Sequence, residues 1–169
     1  MYSIGEYVMK AGNGVCEIAD IVHPDLPNIE KDKMYYLLVP QDSKNAKIYV
    51  AVDGQTGGLR PIMQKEEAME LIEMLPDIEA TWIANDKMRE QCYKEAIRSC
   101  NPKELVGIIK NMYFRKKERI EQGRKSTAID DRYFKLAEDI LYSEIAFAIG
   151  EDRGRMKELI AEKVGIDME

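Results

Sequence analysis

The stretch NPKELVGIIKNMYFRKKERIEQGRK, Asn101–Lys125, decides how the rest of the chain is read. Asn101 is a good N-cap, Pro102 sits at the first helical position, and Glu104 falls where a capping box places its acid. Leu105, Ile108, Ile109 and Met112 then recur at helical spacing and commit one face to a core. Beyond them the character changes. Lys110, Arg115, Lys116, Lys117, Arg119, Arg124 and Lys125 set seven positive charges against two negative ones, Glu118 and Glu121, a local balance of +5 in a chain of net charge −6. The bland explanation is a solvated helix face. Last-turn cations also suit a helix C-terminus, but that accounts for a few charges and not for seven.

Working outward, residues 64–169 read as helical almost throughout. Lys65–Leu75 carries Ala68, Leu71, Ile72 and Leu75 on one face and is stopped by Pro76. Residues 76–81 form a connection, and Trp82 starts or just precedes a helix running to about Ser99. The basic helix ends near Gly123. Thr127 caps the next helix, with Tyr133, Leu136, Ala137, Ile140, Leu141, Ile145 and Ala148 on its apolar face and Gly150 at its end. A last short helix, Asp152–Lys163, has Met156, Leu159, Ile160 and Val164 to bury and reads as peripheral.

Residues 1–63 differ in kind. Short apolar runs, Tyr7–Met9, Val15–Val22, Tyr35–Val39, Ile48–Val52 and Leu59–Met63, alternate with turn signals. Those signals are Gly12-Asn13-Gly14, Pro24 through Asn28, Asp42 through Asn45, and Asp53-Gly54 through Gly57-Gly58. Five short strands in about 60 residues point to a small barrel or strongly bent sheet of the SH3 or Tudor kind. The expected class is α+β: an N-terminal SH3/Tudor-like β-barrel over 1–63, then an all-α domain of about five helices over 64–169. Such a barrel usually offers a strand edge or shallow groove to a partner rather than chemistry.

The totals exclude several classes. A chain of 169 residues with 45% hydrophobic and 33% charged residues can build a core and is not a disordered polymer. No apolar run is long enough for a membrane span. The N-terminus lacks the pattern of a signal peptide, so a cytoplasmic protein is expected. Cys16, Cys92 and Cys100 are scattered, which argues against a disulfide framework or a zinc site, and His23 is the single histidine. No metal and no cofactor is expected. The acidic total argues against a general nucleic-acid coat protein.

Candidate chemistry is sparse. Cys16 and His23 are the only thiol–imidazole pair, but an odd separation along a strand puts them on opposite faces, with no third orienting group. Asp130-Asp131 and Glu151-Asp152 fall at helix starts, where they read as capping and dipole-complementing acids. The glycine pairs lack the Lys-Ser/Thr of a phosphate loop. No catalytic residue is assigned, and no enzymatic activity is expected. Trp82, the only tryptophan, is either a core plug or an exposed wedge able to stack on an unpaired base. With Arg89, Lys110, Arg115, Lys116, Lys117, Arg119, Arg124, Lys125 and Arg132 it forms the candidate DNA-binding set.

Ile4-Gly-Glu-Tyr-Val8, Gly12-Asn-Gly-Val-Cys-Glu-Ile18, Tyr35-Tyr-Leu-Leu-Val39, Val50-Ala-Val52 and Gly58-Leu-Arg-Pro-Ile62 resemble, in order and spacing, the barrel of the CarD/CdnL transcription regulators. The transcription-repair coupling factor has a related module. Trp82, Leu105 through Lys117 and Ala137 through Ala148 are similar to that family's helical domain. The resemblance covers about residues 1–150. It implies a barrel that docks on the β subunit of bacterial RNA polymerase, with Lys47, Ile48, Tyr49 and Val50 on the contacting strand. It implies a helical domain at promoter DNA, near the upstream edge of the melted bubble, with a tryptophan wedged at the fork and a longer-lived open complex as the result. The protein is then expected to act as a monomer, without a membrane partner. Two other readings stand beside this one: a protein-only adaptor without DNA contact, and an enzyme resting on Cys16 and His23.

Overall fold

The computed structural model describes residues 1–54 and 58–165. The middle of the expected Asp53-to-Gly58 turn, including Gly57, and the C-terminal end of the expected helical region lie outside the described residues. The chain divides into two compact units, Met1–Ile62 and Met63–Glu169.

The first unit is an antiparallel sheet of five strands, β1 (Tyr7–Lys10), β2 (Gly14–Val22), β3 (Tyr35–Pro40), β4 (Ile48–Ala51) and β5 (Leu59–Pro61). Their order across the sheet is β4-β3-β2-β1-β5. The sheet curls into a half-barrel, and the five strands are the five apolar runs of the sequence. In β3 the period-two rule is plain: Tyr36, Leu38 and Pro40 are buried, while Tyr35, Leu37 and Val39 are half-buried. Val8, Cys16, Ile18, Tyr36, Leu38 and Val50 make the core. The tight β1–β2 turn has glycine at both left-handed positions, Gly12 (φ 81°) and Gly14 (φ 78°). A register shift between Ile18 and Asp20, where β2 pairs with β3, supplies extra curl. β4 and β5 are the edge strands.

The second unit contains α1 (Lys65–Met74), α2 (Arg89–Ser99), α3 (Pro102–Glu121), α4 (Ala128–Ile149) and α5 (Arg153–Val164), with single 3₁₀ turns at Leu75–Asp77 and Asp86–Met88. The starts of α3, α4 and α5 are capped by side chains. The Asn101 side chain accepts from the Lys103 amide at 2.9 Å, and the Thr127 hydroxyl accepts from the Asp130 amide at 3.1 Å. The Asp152 carboxylate accepts from the Arg155 amide at 3.3 Å. Gly150 ends α4 in the left-handed conformation, φ 79°.

α4 packs against all four other helices. The sequence assigned it one apolar face, but every residue from Ile140 to Ala146 is buried, because helices surround it on several sides. Glu144 lies in that run with no exposed surface, and its carboxylate accepts the Met63 amide at 3.0 Å. Periodicity cannot foresee a fully buried carboxylate. α5 is less peripheral than its few apolar residues imply. Met156, Ile160 and Ala161 are buried as it packs against α1, α4 and the turn at 75–77.

The helix expected from Trp82 is corrected by the structure. α2 begins only at Arg89, and residues 78–85 are irregular, with bends at 78 and 84. Ile78 (ψ 120°) and Asn85 (φ −155°, ψ 161°) have left helical geometry. The reason is a competing set of backbone partners on α3, described below. Because the cap of α3 meets two amides at once, Asn101→Ala is expected to lower the stability of the helical unit by about 1 kcal/mol, read from urea unfolding by helix circular dichroism.

Candidate functional site

The site is built from α3 outward. Four residues on or near one side of this helix, Gly107, Lys110, Asn111 and Arg115, meet the chain between Leu75 and Asp86. The Lys110 ammonium donates to the carbonyls of Leu75 and Ile78. The Gly107 carbonyl accepts the Thr81 amide at 3.0 Å, and Asn111 Nδ2 donates back to the Thr81 carbonyl at 2.7 Å. A side chain at 107 would not fit: a Cβ there would stand 2.6 Å from Thr81 Oγ1 and 3.3 Å from the Glu79 carbonyl. Arg115 donates to Asp86 at 2.8 Å and to Asp130 at 2.9 Å. The segment is thus stitched down at 75, 78, 81 and 86.

Trp82 follows Thr81 directly and is 83% exposed, so it is not a core plug. Its backbone neighbour is fastened while its indole is free of the core. Met88, also exposed, follows one short turn later.

Beneath this segment lies a compact polar network. Tyr93, fully buried, donates its hydroxyl to Asp130 at 2.7 Å. Arg89 bonds Asp86 at 2.9 Å, Asn111 at 2.9 Å and the Tyr93 hydroxyl at 3.2 Å. Burial pushes the Asp130 carboxyl up. The bonds from Tyr93, Thr127 and Arg115, with the Arg115 charge, outweigh burial and hold it below the ordinary aspartate range. Burial, helped by the bond to Asp130, pushes the Tyr93 phenol up to about 12. Burial pulls the Lys110 ammonium down, against the charge of Asp77.

These partners correct the expected basic surface. Lys110 is buried, and its charge is consumed by backbone carbonyls. Arg89 and Arg115 are held by Asp86 and Asp130 and serve the fold. Asp130 is more than the capping acid expected, since Thr127 makes the cap and Asp130 receives the arginine and the tyrosine.

The remaining cations cluster in sequence about the α3–α4 turn. Lys116, Lys117, Arg124, Lys125 and Arg132 are exposed. Arg119 is half-buried and ties the turn by donating to the Lys125 carbonyl at 3.0 Å. Arg132 lies over the Tyr133 ring, 5.5 Å from its centroid. Burial pushes the Glu138 carboxyl up, and the charge of exposed Lys116 is among those that offset part of that shift.

In the first unit, Lys47 is exposed, Ile48 and Tyr49 are half-buried, and Val50 is in the core. Val50 can offer a partner only its backbone. Strand β4 pairs with β3 on one side and forms a sheet edge on the other. Cys16 and His23 do not form a nucleophile–base pair. Cys16 has no exposed surface, and burial pushes its thiol up to about 11 despite Lys10. His23 is exposed, with Nδ1 3.0 Å from the Lys33 carbonyl. Among the described residues, no group of His, Cys, Asp or Glu is gathered as a metal site, and no helix is long and apolar enough to cross a membrane.

Residues 2–63 match the family model of the CarD-like/TRCF RID domain, an RNA polymerase-interacting domain. No curated protein matches the chain.

The Arg115–Asp130 pair gives a prediction. Asp130→Asn removes one of the two carboxylates that hold the Arg115 guanidinium, Asp86 remaining, and should cost about 2 kcal/mol at neutral pH. A carboxyl whose folded pKa is depressed contributes stability above its unfolded value, about 3.9, and loses it as pH falls through the folded value. Urea unfolding at pH 7 and pH 3 should therefore show a large gap between wild type and variant at pH 7 and a smaller one at pH 3.

Proposed function

We propose, from the match of residues 2–63 to the CarD-like/TRCF RID domain, which is consistent with a CarD/CdnL-family protein, a regulator that docks on RNA polymerase and stabilises the open promoter complex. The RID match itself indicates RNA polymerase interaction and a transcription-related role. The finer reading is our own. In it, the barrel holds the β subunit through the β4 edge at Lys47–Val50, and the helical unit meets the upstream edge of the bubble.

One observation carries the reading: an 83% exposed tryptophan on a backbone fastened to the same helix that leads into the basic turn. An aromatic so exposed loses favourable burial in the free protein and regains it on a base. Along α3, the axial rise from Asn111 to Lys116 is roughly 8 Å, and to the turn at Gln122 roughly 16 Å. At 3.4 Å per base pair, this corresponds to roughly two to five base pairs. Trp82 at the fork and Lys116, Lys117, Arg124 and Lys125 on the upstream phosphates fit that span.

The edge position of β4 supports the other contact. An antiparallel strand with one unpaired side can accept a partner strand through backbone hydrogen bonds, with alternate side chains, here Lys47 and Tyr49, setting specificity.

Two outcomes test this. Trp82→Ala should leave the pull-down of polymerase β subunit unchanged and shorten open-complex lifetime about tenfold, the effect of roughly 1.4 kcal/mol of lost stacking. An unchanged lifetime rules out the wedge. Lys116→Glu/Lys117→Glu should reduce the salt slope of DNA affinity by about two; an unaltered slope shows that these lysines face elsewhere.

A further inference from the structure

We propose that Gly107, Lys110 and Asn111 of α3 are positioning residues that hold the backbone before Trp82 rigid, so that the exposed indole is presented in one orientation before any partner arrives. The inference rests on the reading of Trp82 as the functional aromatic. It goes beyond that reading by assigning residues that touch neither nucleic acid nor polymerase.

Between Leu75 and Asn85 the chain leaves helical geometry after a single 3₁₀ turn. α3 supplies partners in its place. Lys110 binds two carbonyls three residues apart, and Asn111 and Gly107 take both the carbonyl and the amide of Thr81. This two-point grip on the two peptide groups that flank the Thr81 Cα fixes the residue immediately before Trp82, which simple burial of a neighbour would not do. Gly107 allows the segment to lie on the helix, because a Cβ would meet Thr81 Oγ1 at 2.6 Å. Asn111 is itself held, its Oδ1 accepting from Arg89 at 2.9 Å. The grip is therefore anchored in the Asp86–Asp130 network. A pre-ordered aromatic avoids the entropy cost of ordering a loop on binding, and so more of its stacking energy appears as open-complex stability.

Asn111→Asp separates this role from general stability. It keeps the shape and the acceptor for Arg89 but turns the donor to Thr81 into an acceptor. Backbone order parameters from ¹⁵N relaxation of the intact protein give the first readout. In the wild type Thr81 and Trp82 should lie near 0.85, the rigid value. In Asn111→Asp they should fall below about 0.6 while α3 and α4 stay rigid.

Open-complex lifetime on purified polymerase gives the second readout. Asn111→Asp should shorten it severalfold in the presence of Trp82. It should have no further effect in the Trp82→Ala background, since the residue acts through the indole. Wild-type Thr81 and Trp82 with order parameters of a mobile loop would overturn the proposal without any variant. So would an equal loss of lifetime from Asn111→Asp with and without Trp82. If the variant loosens the loop while neither it nor Trp82→Ala alters lifetime, the functional reading of Trp82 fails and the positioning role falls with it. Should Asn111→Asp fail to fold, Gly107→Ala, which pushes residues 79–81 off the helix, takes its place with the same expected readouts.

Discussion

A buried or half-buried backbone group must find a partner, and the helical unit is arranged around one place where the chain cannot supply its own. From residue 78 to 85 neither helix nor strand forms a ladder. An unpaired buried amide or carbonyl costs on the order of 1–3 kcal/mol, so a bare coil across a helix would not stay in place. The polar residues of α3 remove that cost. Lys110 is the most telling. Burying an ammonium is expensive and pulls its pKa down, as it does here. The position is tolerable because two carbonyls receive the charge. Without that task a methionine or leucine would serve the core better.

The same constraint reshapes the charge account. The +5 of the basic stretch looked like one surface, yet Lys110 and Arg115 are withdrawn into the fold. Arg115 with Asp130 is a pair of low exposure, 17% and 9% by side chain, fully hydrogen-bonded on the carboxylate side. Such pairs contribute more to the choice of one arrangement than to net stability. Asp86, by contrast, is exposed, and its bonds to Arg89 and Arg115 hold its pKa low. It stitches the loop end rather than the core. What remains for a polyanion is a smaller group at the α3–α4 turn, which a chain of net charge −6 partly offsets.

The sequence was readable where local chemistry decides. Strands bounded by glycine turns, caps at Asn101 and Thr127, and the stop at Gly150 each follow from two or three adjacent residues. It was unreadable where a residue's partner lies far along the chain. Tyr93 and Asp130 are 37 positions apart, and Lys110 and Leu75 are 35 apart. A lysine that bonds carbonyls has the same one-dimensional pattern as a lysine in water. The expectation that Trp82 starts or just precedes a helix fails for the same reason, α2 beginning only at Arg89. The competing pull of Gly107 and Asn111, about 26–30 residues away, carries no periodic signal. A faint clue existed: glycine in the buried half of a strong helix is costly, by about 1 kcal/mol against alanine, and its presence at 107 marks a close approach of other backbone.

These facts bear on why two dissimilar units share one chain. On the proposed reading, three or so phosphate contacts give a salt slope near −3, too little for a free acidic protein to hold promoter DNA at physiological salt. Tethering through the RID unit raises the local concentration of the helical unit to about the millimolar range, where a weak contact becomes sufficient. The acidic total then acts as a filter: away from polymerase the protein is repelled by nucleic acid, and at polymerase the tether outweighs the repulsion. A tethered wedge also gains little from a larger basic patch, since tight phosphate binding would hold duplex and melted DNA alike. On the proposed reading, selectivity for the melted fork comes from the indole. The arginines and lysine nearest Trp82 then serve it better bound to Asp86, Asp130 and the carbonyls of its own loop than turned out toward the DNA.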